Sequence, residues 1–194
     1  SYTIKELASY SFLLEHFYIV DETTSMTKQD LNGTKLVTMD LSAKLGKEEP
    51  LVLIYHTHGS ETYKKVNGKE GSVIEVGTAL TKELENVYGI KTVHDKSVYD
   101  MVDGQLDRNA AYNFAGDSVE AALRKNPSVK VVIDLHRDSV ENNIHLRTKI
   151  NGKSAAQIMF FNGVSRLASK GDIGYLYNPN KEANLAFSLQ MQLL

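Results

Sequence analysis

Six histidines and a set of carboxylates carry the chemistry open to this 194-residue chain, which has no cysteine. Three of the His follow apolar runs: His56 and His58 come after LVLIY (51–55), and His136 closes VKVVIDLH (129–136). In parallel α/β sheets ligands gather beyond the carboxyl ends of strands, so both clusters fall where a site belongs. A carboxylate can join them from two places. Glu61 lies three residues after His58, where a helical turn puts both on one face and Gly59 makes a tight turn easy. Glu75 lies in the first turn of the helix after LVLIY, and in a βα unit that turn starts near the same sheet edge. Either choice gives two His and one Glu, the open ligand set of catalytic zinc, with a fourth position for water. The blander readings are that a Glu at a helix start is favoured by the macrodipole alone, and that a strand-end His is a hydrogen-bonded structural residue.

Around His136 the sequence is DLHRDS, and in an extended strand Asp134, His136 and Asp138 point to one face. A metal-bound His donates its other N–H to a carboxylate, carbonyl or water, so Asp134 or Asp138 can serve there. Asp138 can equally cap a turn with Ser139. Arg137 can hold a substrate carboxylate or sit in a surface ion pair. His56 reads as a partner behind the site, a substrate contact or an alternative ligand. His94 and His145 read as surface or strand residues, and His16, within an apolar helix, as a core or interface residue. Ser60 with His56 offers a serine-hydrolase alternative, without the GxSxG elbow such enzymes carry.

The elements that must position these residues follow from hydrophobic spacing. LVLIY is a continuous apolar run, as expected of a strand covered on both faces. Helical spacing over 74–87 ends near Gly89, a plausible C-cap. IKTVH (90–94) reads as a strand, 95–107 as a loop, 109–125 as a helix and 129–136 as the third strong strand. Residues 144–152 look like a hairpin arm turning at Asn151-Gly152, and 155–163 like a returning strand. Residues 1–20 carry one helix or two short ones, 21–34 a loop, and Lys35 to Ser42 an edge strand. A last helix after Asn178-Pro179 runs to Leu194 without a stop signal, as if it continued. This alternation predicts an α/β fold of three layers, a mainly parallel sheet with helices on both faces. The expected organisation is 1–45 as a helical, membrane-proximal region and 46–194 as the catalytic domain.

Composition excludes several classes. Without Cys there is no disulfide framework, thiol nucleophile, Cys zinc site or Cys-held cluster. A net charge of −2 gives no general attraction for nucleic acid or an anionic membrane. No apolar run approaches the roughly 20 residues of a spanning helix, and no secretory signal pattern opens the chain.

At IYHTHGSETY, VVIDLHRDS and KINGKSAAQIMFFNG, with RNAAY (108–112) and the helix around Glu75, the chain resembles the stage II sporulation protein P family over roughly 50–194. These are peptidoglycan hydrolases of endospore-forming bacteria, similar in turn to zinc-dependent N-acetylmuramoyl-L-alanine amidases. The resemblance implies a zinc amidase-like fold, Zn²⁺, and the ligands His58, Glu75 and His136, with Glu61 as the alternative third ligand by likeness to zinc carboxypeptidases. It implies cleavage of the muramoyl–L-alanine amide and of stem-peptide cross-links during engulfment, with stage II sporulation proteins D and M as partners. It also implies an extracytoplasmic place on the mother-cell side of the septum, held by a membrane anchor expected before Ser1. The catalytic Glu of related amidases sits in a late apolar strand. Glu141 and Glu182 lack such a strand, so the general base is expected beyond Leu194. A non-catalytic peptidoglycan-binding module is the reading from another class.

Overall fold

The computed structural model describes all residues except 1, 45, 47, 64–69 and 142. Two short helices, α1 (Ile4–Leu7) and α2 (Tyr10–His16), open the chain, and α3 (Gly33–Thr38) follows. Next come β1 (Val52–Tyr55), α4 (Val73–Asn86) and β2 (Thr92–His94). A small hairpin of β3 (Met101–Val102) and β4 (Gln105–Leu106) precedes α5 (Arg108–Lys125) and β5 (Val131–Asp134). Two more hairpins pair β6 (Arg147–Ile150) with β7 (Lys153–Ala156) and β8 (Arg166–Leu167) with β9 (Gly171–Asp172). A 3-10 turn at Gly174–Leu176 leads to α6 (Lys181–Leu193).

The chain divides into two compact units, Ala43–His145 and the pair of segments Ser1–Ser42 and Leu146–Leu194. One division therefore lies near the expected 45/46 boundary, and another falls inside the segment expected as 46–194.

The middle unit is α/β. Its sheet has the order β2-β1-β5, all parallel, with Ile54 opposite His94 and Tyr55 opposite Asp134. Val52, Leu53 and Ile54 are buried, as a continuous apolar run requires when both faces of a strand are covered. Two crossovers make the sheet, and each carries one helix, α4 between β1 and β2 and α5 between β2 and β5. Helix α4 starts on a capping box, in which the Ser72 hydroxyl accepts from the Glu75 N–H and the Glu75 carboxylate accepts from the Ser72 N–H at 3.0 Å. It ends before Gly89, whose φ of +66° is the left-handed turn that glycine adopts without strain. Asp107 caps α5 by accepting from the Asn109 and Ala110 N–H groups.

The other unit is mainly helical and has its own core of Leu7, Leu13, Leu31, Leu36, Leu185, Ala186 and Leu189. The Gln190 amide donates to the Leu36 and Met39 carbonyls at 2.9 and 3.0 Å, closing the C-terminal end of α3. This corrects the strand expected at Lys35 to Ser42. Asn32 caps a helix through the Lys35 N–H at 3.1 Å, and Leu36 is buried in the helical core. The strand expected at 155–163 is likewise shorter, because β7 ends at Ala156. Ile158 and Phe161 beyond it are 82% and 87% exposed. The hairpin at Asn151-Gly152 forms, both residues taking positive φ (50° and 77°), as a two-residue turn of this type demands. Gly33 starts α3 so close to α1 that a Cβ there would overlap the Leu7 carbonyl oxygen.

Asp30 is the charged centre of this unit. It accepts from the Thr27 N–H and hydroxyl and from Lys181 at 2.7 Å, and it pairs with Arg166. Burial pushes its carboxyl up, but the Lys181, Thr27 and Arg166 hydrogen bonds outweigh this and hold it well below the usual carboxylate range. A carboxyl depressed in the folded state contributes stability above its unfolded pKa, and that contribution is lost as pH falls below it. Asp30→Asn should therefore flatten the loss of unfolding free energy between about pH 4 and pH 2, measured by urea titration at each pH. Leu189→Ala, which empties a fully buried site, should cost about 2–5 kcal/mol in the same assay.

Candidate functional site

The strand ends of the middle unit converge on a polar cluster. His58 follows β1 by three residues, and His136 follows β5 by two. Their rings meet edge to face, with centroids 5.2 Å apart. The parallel register delivers this, because Tyr55 lies opposite Asp134 and the ladder runs one residue further, the Leu135 N–H donating to the Tyr55 carbonyl at 2.9 Å.

Asp134 anchors both sides of the cluster. Its carboxylate accepts from the Thr57 N–H at 2.9 Å and the Thr57 hydroxyl at 2.6 Å, and lies 2.8 Å from His136 Nε2. That contact is the main cause of a raised His136 pKa, against the opposite pull of burial. Burial pushes Asp134 up, and the hydrogen bonds from His136 and Thr57 more than cancel it. With Nε2 committed to Asp134, the Nδ1 of His136 faces Glu61 Oε2 at 3.9 Å.

Glu61 is buried, 6% exposed. Arg108 donates to its Oε1 at 2.7 Å and the Arg137 N–H to its Oε2 at 3.0 Å. Burial raises its pKa, but the Arg108 and Arg137 hydrogen bonds prevail and keep it ionised below the ordinary range. The backbone fixes it twice, since its N–H donates to the His58 carbonyl and its own carbonyl accepts from the Val73 N–H, both at 3.1 Å. His58 and Glu61 thus share a turn that is tied to the start of α4. Glu75, one turn into α4, is exposed and caps the helix.

His58 is buried, and its Nδ1 has no hydrogen-bond partner among the described residues. Asp100 Oδ2 is 3.8 Å from that nitrogen, and Tyr112 sets its ring edge-on to the imidazole with centroids 5.3 Å apart. Burial, with Arg108 nearby, lowers the His58 pKa and favours the neutral ring. Asp100 is completely buried and accepts from the Ser60 N–H at 3.1 Å and the Ser60 hydroxyl at 2.6 Å. Ser60 is therefore tied to Asp100 rather than to His56, whose two ring nitrogens face the Leu135 carbonyl at 2.8 Å and His94 Nε2 at 2.9 Å. No Ser60–His56 dyad forms, and His56 has no ring nitrogen left for a ligand. Burial lowers His56, and it lowers His94 to about 4.

The remaining candidates stand at the rim or elsewhere. The Arg137 side chain is exposed and reaches the Asp138 carbonyl at 3.4 Å, while the Asp138 carboxylate accepts from the Ser139 N–H at 2.7 Å. His145 is exposed. His16 is exposed too, stacked on Phe12 with centroids 4.0 Å apart, not buried in a core. Glu182 pairs with Lys35 at 2.5 Å in the helical unit. Residues that sequence reasoning passed over are Asp100, Arg108, Tyr112 and His94. Arg108 and Tyr112 lie in RNAAY, whose spacing gave no role; nothing in the 95–107 loop marks Asp100.

The donors present suit zinc in type, being imidazole and carboxylate around a buried nitrogen that lacks a partner. Among the described residues, no group of three or more His, Asp or Glu side chains stands in metal-holding geometry.

The sequence model of a family described as Stage II sporulation protein P matches residues 5–193. A curated Stage II sporulation protein P of Bacillus subtilis (strain 168) is 28% identical over 127 residues, covering 60% of this chain and 31% of that protein. The chain thus spans about a third of the length of the relative it matches. No solved structure matches.

Asp100→Ala should strip the Ser60 N–H and hydroxyl of their shared acceptor and loosen the 56–63 turn at that point. A loss of about 1–3 kcal/mol is expected in chemical unfolding, with faster amide exchange at Ser60.

Proposed function

Because the chain belongs to the stage II sporulation protein P family, a family of sporulation, we propose that the cluster around His58 and His136 is the centre of a zinc-dependent peptidoglycan hydrolase. The bond cut is the amide between muramic acid and L-alanine, and also stem-peptide cross-links, during spore engulfment. The observation that carries this reading is the meeting of His58, Glu61 and His136 at the carboxyl ends of β1 and β5.

His58, His136 and Glu61 are our choice of metal donors. Glu61 replaces Glu75 as the third because it already lies against His136, whereas Glu75 caps α4. Zinc bound there would supply an acidified water and polarise the scissile carbonyl. The chain's own residues do the rest. Asp134 keeps a proton on His136 Nε2 and so directs Nδ1 inward. Arg108 and the Arg137 N–H keep Glu61 ionised. The exposed Arg137 guanidinium offers a carboxylate of the stem peptide a partner. The general base is assigned to none of the described residues.

By resemblance, stage II sporulation proteins D and M are partners, and the full-length protein is anchored outside the cytoplasm. Among the described residues no helix is long and apolar enough to cross a membrane.

Metal content by mass spectrometry should give about one zinc per chain, removable by chelator. His58→Ala, His136→Ala and Glu61→Ala should lose it, and Glu75→Ala should keep it. Muropeptide release from purified sacculi should fall with the metal. Sacculus binding without any release, and without zinc, would instead support a non-catalytic wall-binding module.

A further inference from the structure

Behind the site, a buried and a half-buried imidazole make a contact that the proposed chemistry does not use. His94, the last residue of β2, lies beside His56, the residue after β1, with the two Nε2 atoms 2.9 Å apart. On its other side His56 Nδ1 lies 2.8 Å from the Leu135 carbonyl, which follows β5. The imidazoles thus extend the hydrogen bonding of all three strands past the ends of the sheet, from β2 through β1 to β5.

The protons of this chain can be assigned from chemistry alone. A carbonyl only accepts, so His56 Nδ1 carries a hydrogen. In the neutral ring His56 Nε2 is then bare and accepts from His94 Nε2–H. His94 Nδ1 is bare in turn, and it is a buried nitrogen with no hydrogen-bond partner among the described residues. The one unpaired atom is therefore an acceptor lone pair, and no N–H is left without a partner.

Helix α4 closes over the pair at its buried Gly77. A Cβ there would lie 2.6 Å from His94 Nε2 and 2.8 Å from His56 Cε1 and Nε2. In a helix interior alanine is otherwise the more favourable residue. The glycine is thus tied to the presence of the two rings beneath it.

We propose that His56 and His94 are positioning residues that hold the Leu135–His136 peptide, and so the aim of His136, through one directed hydrogen-bond chain. The peptide unit is planar, so fixing the Leu135 carbonyl fixes the plane from which the His136 Cα departs. Asp134 orients the His136 ring from one side. The His94–His56–Leu135 chain sets the backbone that carries it. From the proposed hydrolase this inference takes only that His136 is a working residue.

The test uses the protein labelled with ¹⁵N-histidine, without reliance on activity. Long-range ¹H–¹⁵N correlation spectra at neutral pH should show His56 with hydrogen on Nδ1 and His94 with hydrogen on Nε2. The reverse tautomers would overturn the proposal. His94→Gln retains an N–H in place of Nε2–H, and His94→Leu removes it. His136 ring signals should shift in His94→Leu and return toward wild type in His94→Gln. Muropeptide release should follow, with kcat roughly tenfold lower in His94→Leu, KM little changed, and recovery in His94→Gln. Equal behaviour of the two variants in the His136 signals would overturn the proposal. Gly77→Ala, pressing on both rings, must move the same signals, and unmoved signals there overturn it even if His94→Leu fails to fold. A wild type that releases no muropeptide sinks the hydrolase reading while the tautomer and His136 measurements still decide this one.

Discussion

The carboxylate of Asp134 ties the middle unit's two key strand ends into one site. It reaches across from β5 to Thr57, between His56 and His58, and along its own strand to His136. Three hydrogen-bonding groups on one half-buried carboxylate explain why it stays ionised against the cost of burial. They also explain why two loops that leave neighbouring strands stay in register beyond the last ladder bond. The Arg137 N–H to Glu61 bond and the His56–Leu135 contact join the same two turns on either side of that bridge.

The same logic repeats one layer out. Asp100 holds Ser60, Arg108 and the Arg137 N–H hold Glu61, and the Leu135 carbonyl holds His56. Among the described residues, the buried side-chain nitrogens and oxygens left without a hydrogen-bond partner are the Nδ1 atoms of His58 and His94. In a low-dielectric setting partnered groups stiffen the site, and an unpartnered one marks where something is missing or where only an acceptor is needed. His58 is the first case in the proposed zinc centre. His94 is the second, because its lone pair closes a chain of donors.

Much of the middle unit was legible because local signals and tertiary packing agree there. LVLIY is a continuous apolar run, the pattern a central parallel strand wants, and VKVVIDLH is rich enough in β-branched residues to read as the strand that pairs with it. Ser72 with Glu75 is a capping box, and Gly89 follows the helix it opens. Agreement failed in the other unit. The apolar Leu36 and Val37 suit a strand or a helix equally, and only the Asn32 cap and the Gln190 bonds to Leu36 and Met39 decide for the helix. The run Ile158 to Phe161 carries the composition of a strand, yet its first and last residues stay largely exposed.

From the sequence by itself came the parallel α/β pattern, the two His clusters at strand ends, the absence of any Cys chemistry and the family resemblance. These are properties of residue type and spacing along the chain. Tertiary structure alone decided which carboxylate meets His136, what each His nitrogen faces and where the units divide. The physical reason is that a ring nitrogen's partner is chosen across strands, by register and burial. Glu61 and Glu75 are both compatible with their local sequence, and only the fold brings Glu61 to His136 and leaves Glu75 to cap its helix.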